Sequence, residues 1–296
     1  MSYTLGEALY DVYEGLGQIT TFKATGAGST ATVISTRTNY AQNDLPGTIL
    51  IKETTDGAAP EGEFSEISSF APGTGTFTVS DVLTAATGVG DIFGYASPSY
   101  PIQTVINVIN RALMQLGDID LVDTTTLDTA ANQTEYAAAV AWKRRPPKRI
   151  DVQGVTSDAN DNRWYPVYDW YYTPAAAGST GLIIFKNQPA STRGIRVWYE
   201  DRHPRVKDFD DVIYEAIPPR LLVAMAVERA YAWNYNKTRD KYLVQSWNEA
   251  KSEVEMAKAE NPIWRVQFEP HIKMYPNPSR SVPSRNSDDP DTIRIE

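Results

Sequence analysis

The sequence contains no cysteine, only two histidines and no apolar run longer than Leu221–Val227. Without cysteine there is no disulfide framework, thiol nucleophile, iron–sulfur cluster or cysteine zinc site, which suits a chain folded in a reducing cytoplasm. The apolar run falls far short of the roughly 20 residues a membrane-spanning helix needs. Met1–Leu16 lacks a basic segment followed by an apolar stretch, so neither secretion nor membrane insertion is expected. Cations are in deficit too: 28 Lys and Arg against 37 Asp and Glu leave a formal net charge of -9. Bulk attraction to phosphates is therefore disfavoured, because nonspecific nucleic-acid binding rests on cations that neutralise the backbone. Any DNA contact has to be local.

What is present is enough for roughly two domains in 296 residues. Thr4 and Glu7 fit a capping box, and Leu5, Ala8, Leu9, Val12, Tyr13 and Leu16 recur at helical spacing up to Gly17. From Phe22 to Ala96 the chain turns rich in Thr, Gly and Ala, with short candidate strands at 31–35, 48–52, 66–70, 76–79 and 91–95. Pro101 opens a second helix with Ile102, Val105, Ile106, Ile109, Ala112, Leu113 and Leu116 on its apolar side, and Gly117 stops it. A polar Thr-rich loop, Asp123–Thr129, is expected to lead into a second β region with candidate strands at 136–142, 149–155, 164–170, 182–185 and 195–200. Pro218-Pro219 precedes a helix from Arg220 to about Asn236 that is apolar all round at its start, hence nearly fully buried. A fourth helix, from about Arg239 to Glu260, carries Leu243, Trp247, Ala250, Val254 and Ala257 on one stripe. Beyond Trp264 no helical period remains, and the Pro-, Ser- and Asp-rich stretch from Glu269 to Glu296 is expected to stay unburied unless it docks on a partner.

Residues able to carry chemistry are sparse. His203 and His271 lie far apart beside prolines, with no helical partner at metal-site spacing. No Gly-x-Ser-x-Gly elbow appears, and no P-loop or dinucleotide fingerprint surrounds Gly26, Gly28, Gly88 or Gly90, which read as turn glycines. No catalytic residue, metal or cofactor is therefore expected. Asp158, Asn160 and Asn162 alternate like a calcium loop, but Arg163 stands where a glycine is needed, and a hairpin loop is the better reading. Asp208, Asp210 and Asp211 precede a helix and read as capping acids. Lys143, Arg144, Arg145, Lys148 and Arg149 surround the diproline Pro146-Pro147. They suit either a phosphate or acidic-partner contact or a solvated loop between strands. Trp164, Tyr165, Tyr168, Trp170, Tyr171 and Tyr172 either stack on bases or sugars or fill a sheet face or subunit interface.

The order of these pieces resembles the head-to-tail adaptor proteins of tailed bacteriophages, including the tail-tubular-A type of short-tailed phages. The residues that carry the resemblance are Tyr3-Thr4-Leu5-Gly6-Glu7-Ala8-Leu9, the helix Val105–Leu113 with Leu116-Gly117, and Thr134-Glu135-Tyr136. The clearest stretch is Gly194-Ile195-Arg196-Val197-Trp198-Tyr199, followed by His203-Pro204, Asp210-Asp211, Pro218-Pro219 and the alanine-rich helix to Trp233. The resemblance implies an α+β protein: a four-helix bundle with two β-rich, sandwich- or barrel-like insertions and an extended C-terminal arm, a layout the element reading also reaches. The bundle helices would come from 1–21 with 97–130 and from 210–262; the inserted β module is 22–96, the second β region 131–209 and the arm 263–296. Function would be structural, not enzymatic: a dodecameric homo-oligomeric ring in the virion, assembled in the host cytoplasm, between the portal protein and the tail. Its further neighbours would be a nozzle or tail tube and fiber proteins, and double-stranded DNA would pass through without specific binding. In the arm, Ile272, Met274, Tyr275, Val282, Ile293 and Ile295 are the expected portal anchors, and Lys143, Arg144, Arg145, Lys148 and Arg149 would make an inter-subunit or tail contact. The competing classes are a carbohydrate-binding or adhesin-like tail protein and a cell-wall hydrolase, the latter needing two carboxylates about 5 to 10 Å apart in a cleft.

Overall fold

The computed structural model describes residues 3–38, 40–41, 45–130, 132–139, 142, 146–154, 163–174, 181–189 and 193–263. They form two compact units. The first takes the described residues up to Leu121 and those from Glu200 onward; the second is built from those between 122 and 199.

In the first unit, α1 (Leu5–Gly15) begins with the expected capping box. The Glu7 amide donates to Thr4 Oγ1 at 3.4 Å and the Thr4 amide to Glu7 Oε2 at 2.8 Å. α2 (Ile102–Leu116) buries the stripe Val105, Ile106, Ile109, Ala112 and Leu113 and ends at Gly117, whose φ of 79° suits a residue without a side chain. α3 (Pro219–Thr238) starts on a proline, and Leu221, Leu222, Ala224, Met225, Ala226 and Val227 of its first half are buried, with Val223 partly so. Arg239, at φ 56°, closes it by donating its backbone amide to the Tyr235 carbonyl at 2.8 Å. The next helix, α4 (Leu243–Glu260), therefore begins four residues later than the sequence suggests.

Seven strands complete this unit: β1 (Ile19–Lys23), β2 (Gly26–Ser29), β3 (Thr32–Ile34), β4 (Thr48–Glu53), β5 (Phe64–Ala71), β6 (Thr76–Val79) and β7 (Ile92–Ala96). They form one antiparallel sheet in the order β1-β7-β4-β5-β6-β3-β2. Its own core is aromatic, with Phe70 and Phe77 at 4.5 Å between ring centroids and Phe93, Tyr95, Ile49 and Val33 around them. β1 and β2 have no counterpart among the strands expected from the sequence. Gly28, read as a turn glycine, lies in β2, where a Cβ would come within 2.2 Å of the Thr32 carbonyl oxygen. That close pairing is what its missing side chain permits.

In the second unit, β8 (Asp118–Asp128), β10 (Arg149–Gln153), β11 (Trp164–Val167) and β14 (Gly194–Arg202) make a four-stranded sheet ordered β11-β10-β14-β8. β9 (Glu135–Ala137), β12 (Trp170–Thr173) and β13 (Leu182–Phe185) make a three-stranded one. Trp142, Ile150, Trp170, Ile183, Phe185, Ile195 and Val197 form the buried cluster.

Two expectations are corrected. The protein is not a four-helix bundle with β insertions: among the described residues it is mostly antiparallel sheet, fourteen strands in three sheets against four helices. The helices do not occupy four equivalent corners, because α3, apolar over its first half, acts as a hub on which α1, α2 and α4 each pack. The stretch Asp123–Thr129 is not a loop, since all but its last residue lies in β8. Asp123 does make loop-type bonds, accepting from the Thr125 and Thr126 amides at 3.0 Å each, yet the backbone keeps the edge of a sheet. Burial raises this carboxyl, but the Thr126 hydroxyl and the two amides outweigh it and hold it below the usual range.

Candidate functional site

Several residues singled out in the sequence, at the start of α1, on α2 and between Glu200 and Pro218, meet in one place. The segment from Glu200 to Pro218 passes over the start of α1 and the side of α2. Free amides at a helix start need acceptors, and here carbonyls of that segment provide them. Leu5 donates to Asp211 O at 2.9 Å and Gly6 to Phe209 O at 3.0 Å, while Ile213 donates back to Tyr3 O at 2.8 Å. Thr4 and Val212 form an antiparallel bridge. On the other side, Asn110 of α2 receives the Val206 amide at 2.9 Å and returns its own amide to the Val206 carbonyl at 2.8 Å.

His203 is buried in this junction. Its Nε2 accepts the Tyr214 amide at 3.1 Å, which leaves Nδ1 to donate to the Pro204 carbonyl at 2.6 Å. The Tyr214 ring lies 4.3 Å away. Burial lowers the imidazole pKa, against the opposing pull of the Pro204 carbonyl. With both nitrogens bonded to backbone, His203 fastens the chain instead of meeting a ligand. Asp208 and Asp210 do not cap α3, which starts at Pro219 with no side-chain cap. Asp211 instead closes a turn before it, accepting from the Lys207 amide at 2.5 Å and the Asp208 amide at 3.0 Å. Those amides hold its carboxyl below the usual range.

The basic segment behaves differently from a free patch. Lys143, Arg144 and Arg145 lie outside the described residues, and Lys148 donates its amide to Trp198 O at 2.7 Å. Arg149 turns to Asp151, with Nε 2.5 Å from Oδ1. Asp151 has no exposed surface and also takes Arg196 Nε at 2.9 Å and Trp198 Nε1 at 2.9 Å. The Arg196 guanidinium lies between the rings of Trp164 and Trp198, 4.9 and 5.3 Å from their centroids. Sequence reasoning misses this buried carboxylate, although a signal for it exists: Arg149 and Asp151 share a strand face, and Asp151 pairs directly opposite Arg196.

Of the aromatic run, Trp170 and Tyr172 are buried in the sheet core, while Tyr165 and Tyr168 stay exposed. β10 and β11 pair antiparallel as the hairpin reading requires, with Asp158, Asn160 and Asn162 outside the described residues. So are His271 and the six expected portal anchors Ile272, Met274, Tyr275, Val282, Ile293 and Ile295. Among the described residues no group of three or more His, Asp or Glu side chains could hold a metal ion, and no helix is long and apolar enough to cross a membrane. The sequence matches no protein-family model, and no curated protein matches it significantly.

Proposed function

We propose that the protein is a structural virion component, the adaptor ring between the portal and the tail of a bacteriophage, through which the genome passes. The observation that carries this reading is the junction itself. Tyr3–Gly6, Asn110, His203-Pro204 and Asp211, scattered through the sequence, meet in one hydrogen-bonded clasp. A constellation bonded so completely to backbone serves to set elements against one another, as a ring subunit under load requires. The net charge of -9 supports it too, since an acidic channel lets DNA pass without gripping it. In this reading residues 263–296 are the portal-binding arm, and the subunits make head-to-tail contacts in a closed dodecamer.

The test is particle imaging of the protein bound to portal, or of virions that contain it. Ring averages with closed cyclic symmetry between portal and tail are expected. A monomer that binds sugars would favour the adhesin-like reading, for which exposed Tyr165 and Tyr168 are the observation in hand.

A further inference from the structure

α1, α3 and α4 leave a groove of about 740 Å³ between them. Its floor is apolar, made by Val223, Ala224 and Val227 of α3 and Ala250 of α4. Its rim is acidic, with Asp11 and Glu14 on one wall and Glu249 and Glu253 on the other, against a single lining cation, Arg220. Arg220 is already held by Glu253 at 2.9 Å and by Glu260. The α3 residues that line the groove run from Pro219 to Tyr231, about 18 Å of helix at 1.5 Å per residue, so the groove is a trough three turns long.

We propose that this trough is a docking site for a basic amphipathic helix of a partner protein. An apolar stripe at i, i+3 or i+4 and i+7 would lie on Val223, Val227 and Ala250, and flanking Lys or Arg would reach Glu14 and Asp11 on one side and Glu249 on the other. Burial raises the Asp11 carboxyl, against the Tyr3 hydroxyl that donates to it at 2.8 Å, and Glu14 raises it further, a repulsion that an incoming cation relieves. The walls are helices whose backbone groups are already bonded internally, so an added strand would find no edge to pair with. The acidic rim repels nucleic acid. A second copy is a poor occupant, because no described helix of this chain joins a basic face to a free apolar stripe. The inference rests on the groove alone and stands apart from the virion reading.

The experiment uses the full chain and two synthetic peptides of about four helical turns with the same leucine stripe, one flanked by Lys and one by Glu. At about 0.15 M salt, where surface charges beyond about 8 Å are screened, the Lys peptide should bind at least tenfold more tightly and gain helical circular dichroism. Glu14→Lys with Glu249→Lys, both at exposed positions, should reverse that preference. Equal binding of the two peptides, no binding of either, or an unchanged preference in the double variant would overturn the proposal. Tighter capture of a peptide carrying residues 265–296 would also overturn it, by giving the trough to the chain's own segment. Self-association lost in the double variant would do so by giving it to a second copy.

Discussion

Asn110 and Val206 are joined by two hydrogen bonds in opposite directions, 2.9 Å into the Asn110 carbonyl oxygen and 2.8 Å out of its amide nitrogen. A side-chain amide thereby imitates a strand neighbour, and ties α2 to the segment that leads into α3. The same amide nitrogen also reaches the Ile106 carbonyl at 3.0 Å.

Asn110→Leu should therefore lower stability by about 2 kcal/mol, because it removes these bonds and leaves the Val206 amide and carbonyl without their partners. Urea unfolding should show a lower midpoint with an unchanged slope. Asn110→Asp keeps the acceptor for the Val206 amide but sets a carboxylate oxygen against the Val206 and Ile106 carbonyls, and should cost at least as much.

His203 gives the junction a pH dependence. Its pKa in the folded protein lies below the ordinary value of 6.5, chiefly through burial. As pH falls below about 6.5 the unfolded imidazole takes a proton that the folded one does not, so stability declines until the folded pKa is reached. Above about 6.5 both forms are neutral and this contribution is fully present. Unfolding midpoints measured between pH 7.5 and 5 should fall on the acid side, and the slope should flatten in His203→Gln. An imidazole NMR titration that placed His203 at or above 6.5 would refute the assignment.

In the second unit, Asp151→Asn should cost about 3 kcal/mol, since it removes the buried carboxylate that pairs with both Arg149 and Arg196. Arg149→Ser should cost less, about 1 kcal/mol, because the Arg149 side chain is 36% exposed and water can replace part of what is lost. Denaturant titrations of the two variants decide the order. A loss of assembly on replacing Arg149 must accordingly be compared with its loss of stability before it is assigned to a partner contact.

The parts legible in the sequence are those whose signal is local. The Thr4–Glu7 capping box, the apolar stripe from Val105 to Leu113 and the Pro219 start each lie within a few turns of chain, and the structure has them. β2 is hidden because Gly26–Ser29 offers no β-branched residue, and its strand state depends on pairing with β3. β8 is hidden because Asp123 and its threonines carry turn chemistry on a sheet edge. The helix arrangement is ambiguous in sequence because the apolar start of α3 is compatible with a bundle corner and with a hub, and only its partners distinguish them. At the junction, His203, Asp211 and Tyr3 each stand out, but their convergence spans some two hundred residues and Asn110 looks in sequence like any polar helix residue.

The last prediction contrasts two glycines of the α1 region. A Cβ on Gly6 would sit 2.0 Å from the Gly62 carbonyl oxygen, a backbone atom that cannot swing aside as a side chain could. Gly62 itself is held at φ 82°, and its amide donates to Ile51 O at 2.9 Å, so the loop bearing that oxygen is fixed by the sheet. Gly6→Ala should therefore force α1 and this loop apart and cost about 3 kcal/mol, the upper end for overpacking, even though alanine is the better helix former. A Cβ on Gly17, at φ 63°, would meet nothing within 4 Å, so only the backbone conformation matters there. Asparagine tolerates the left-handed region better than other residues, and Gly17→Asn should cost under about 1 kcal/mol. Thermal unfolding of the two variants side by side checks the contrast: comparable losses would mean that α1 does not approach the Gly62 loop as a close backbone contact.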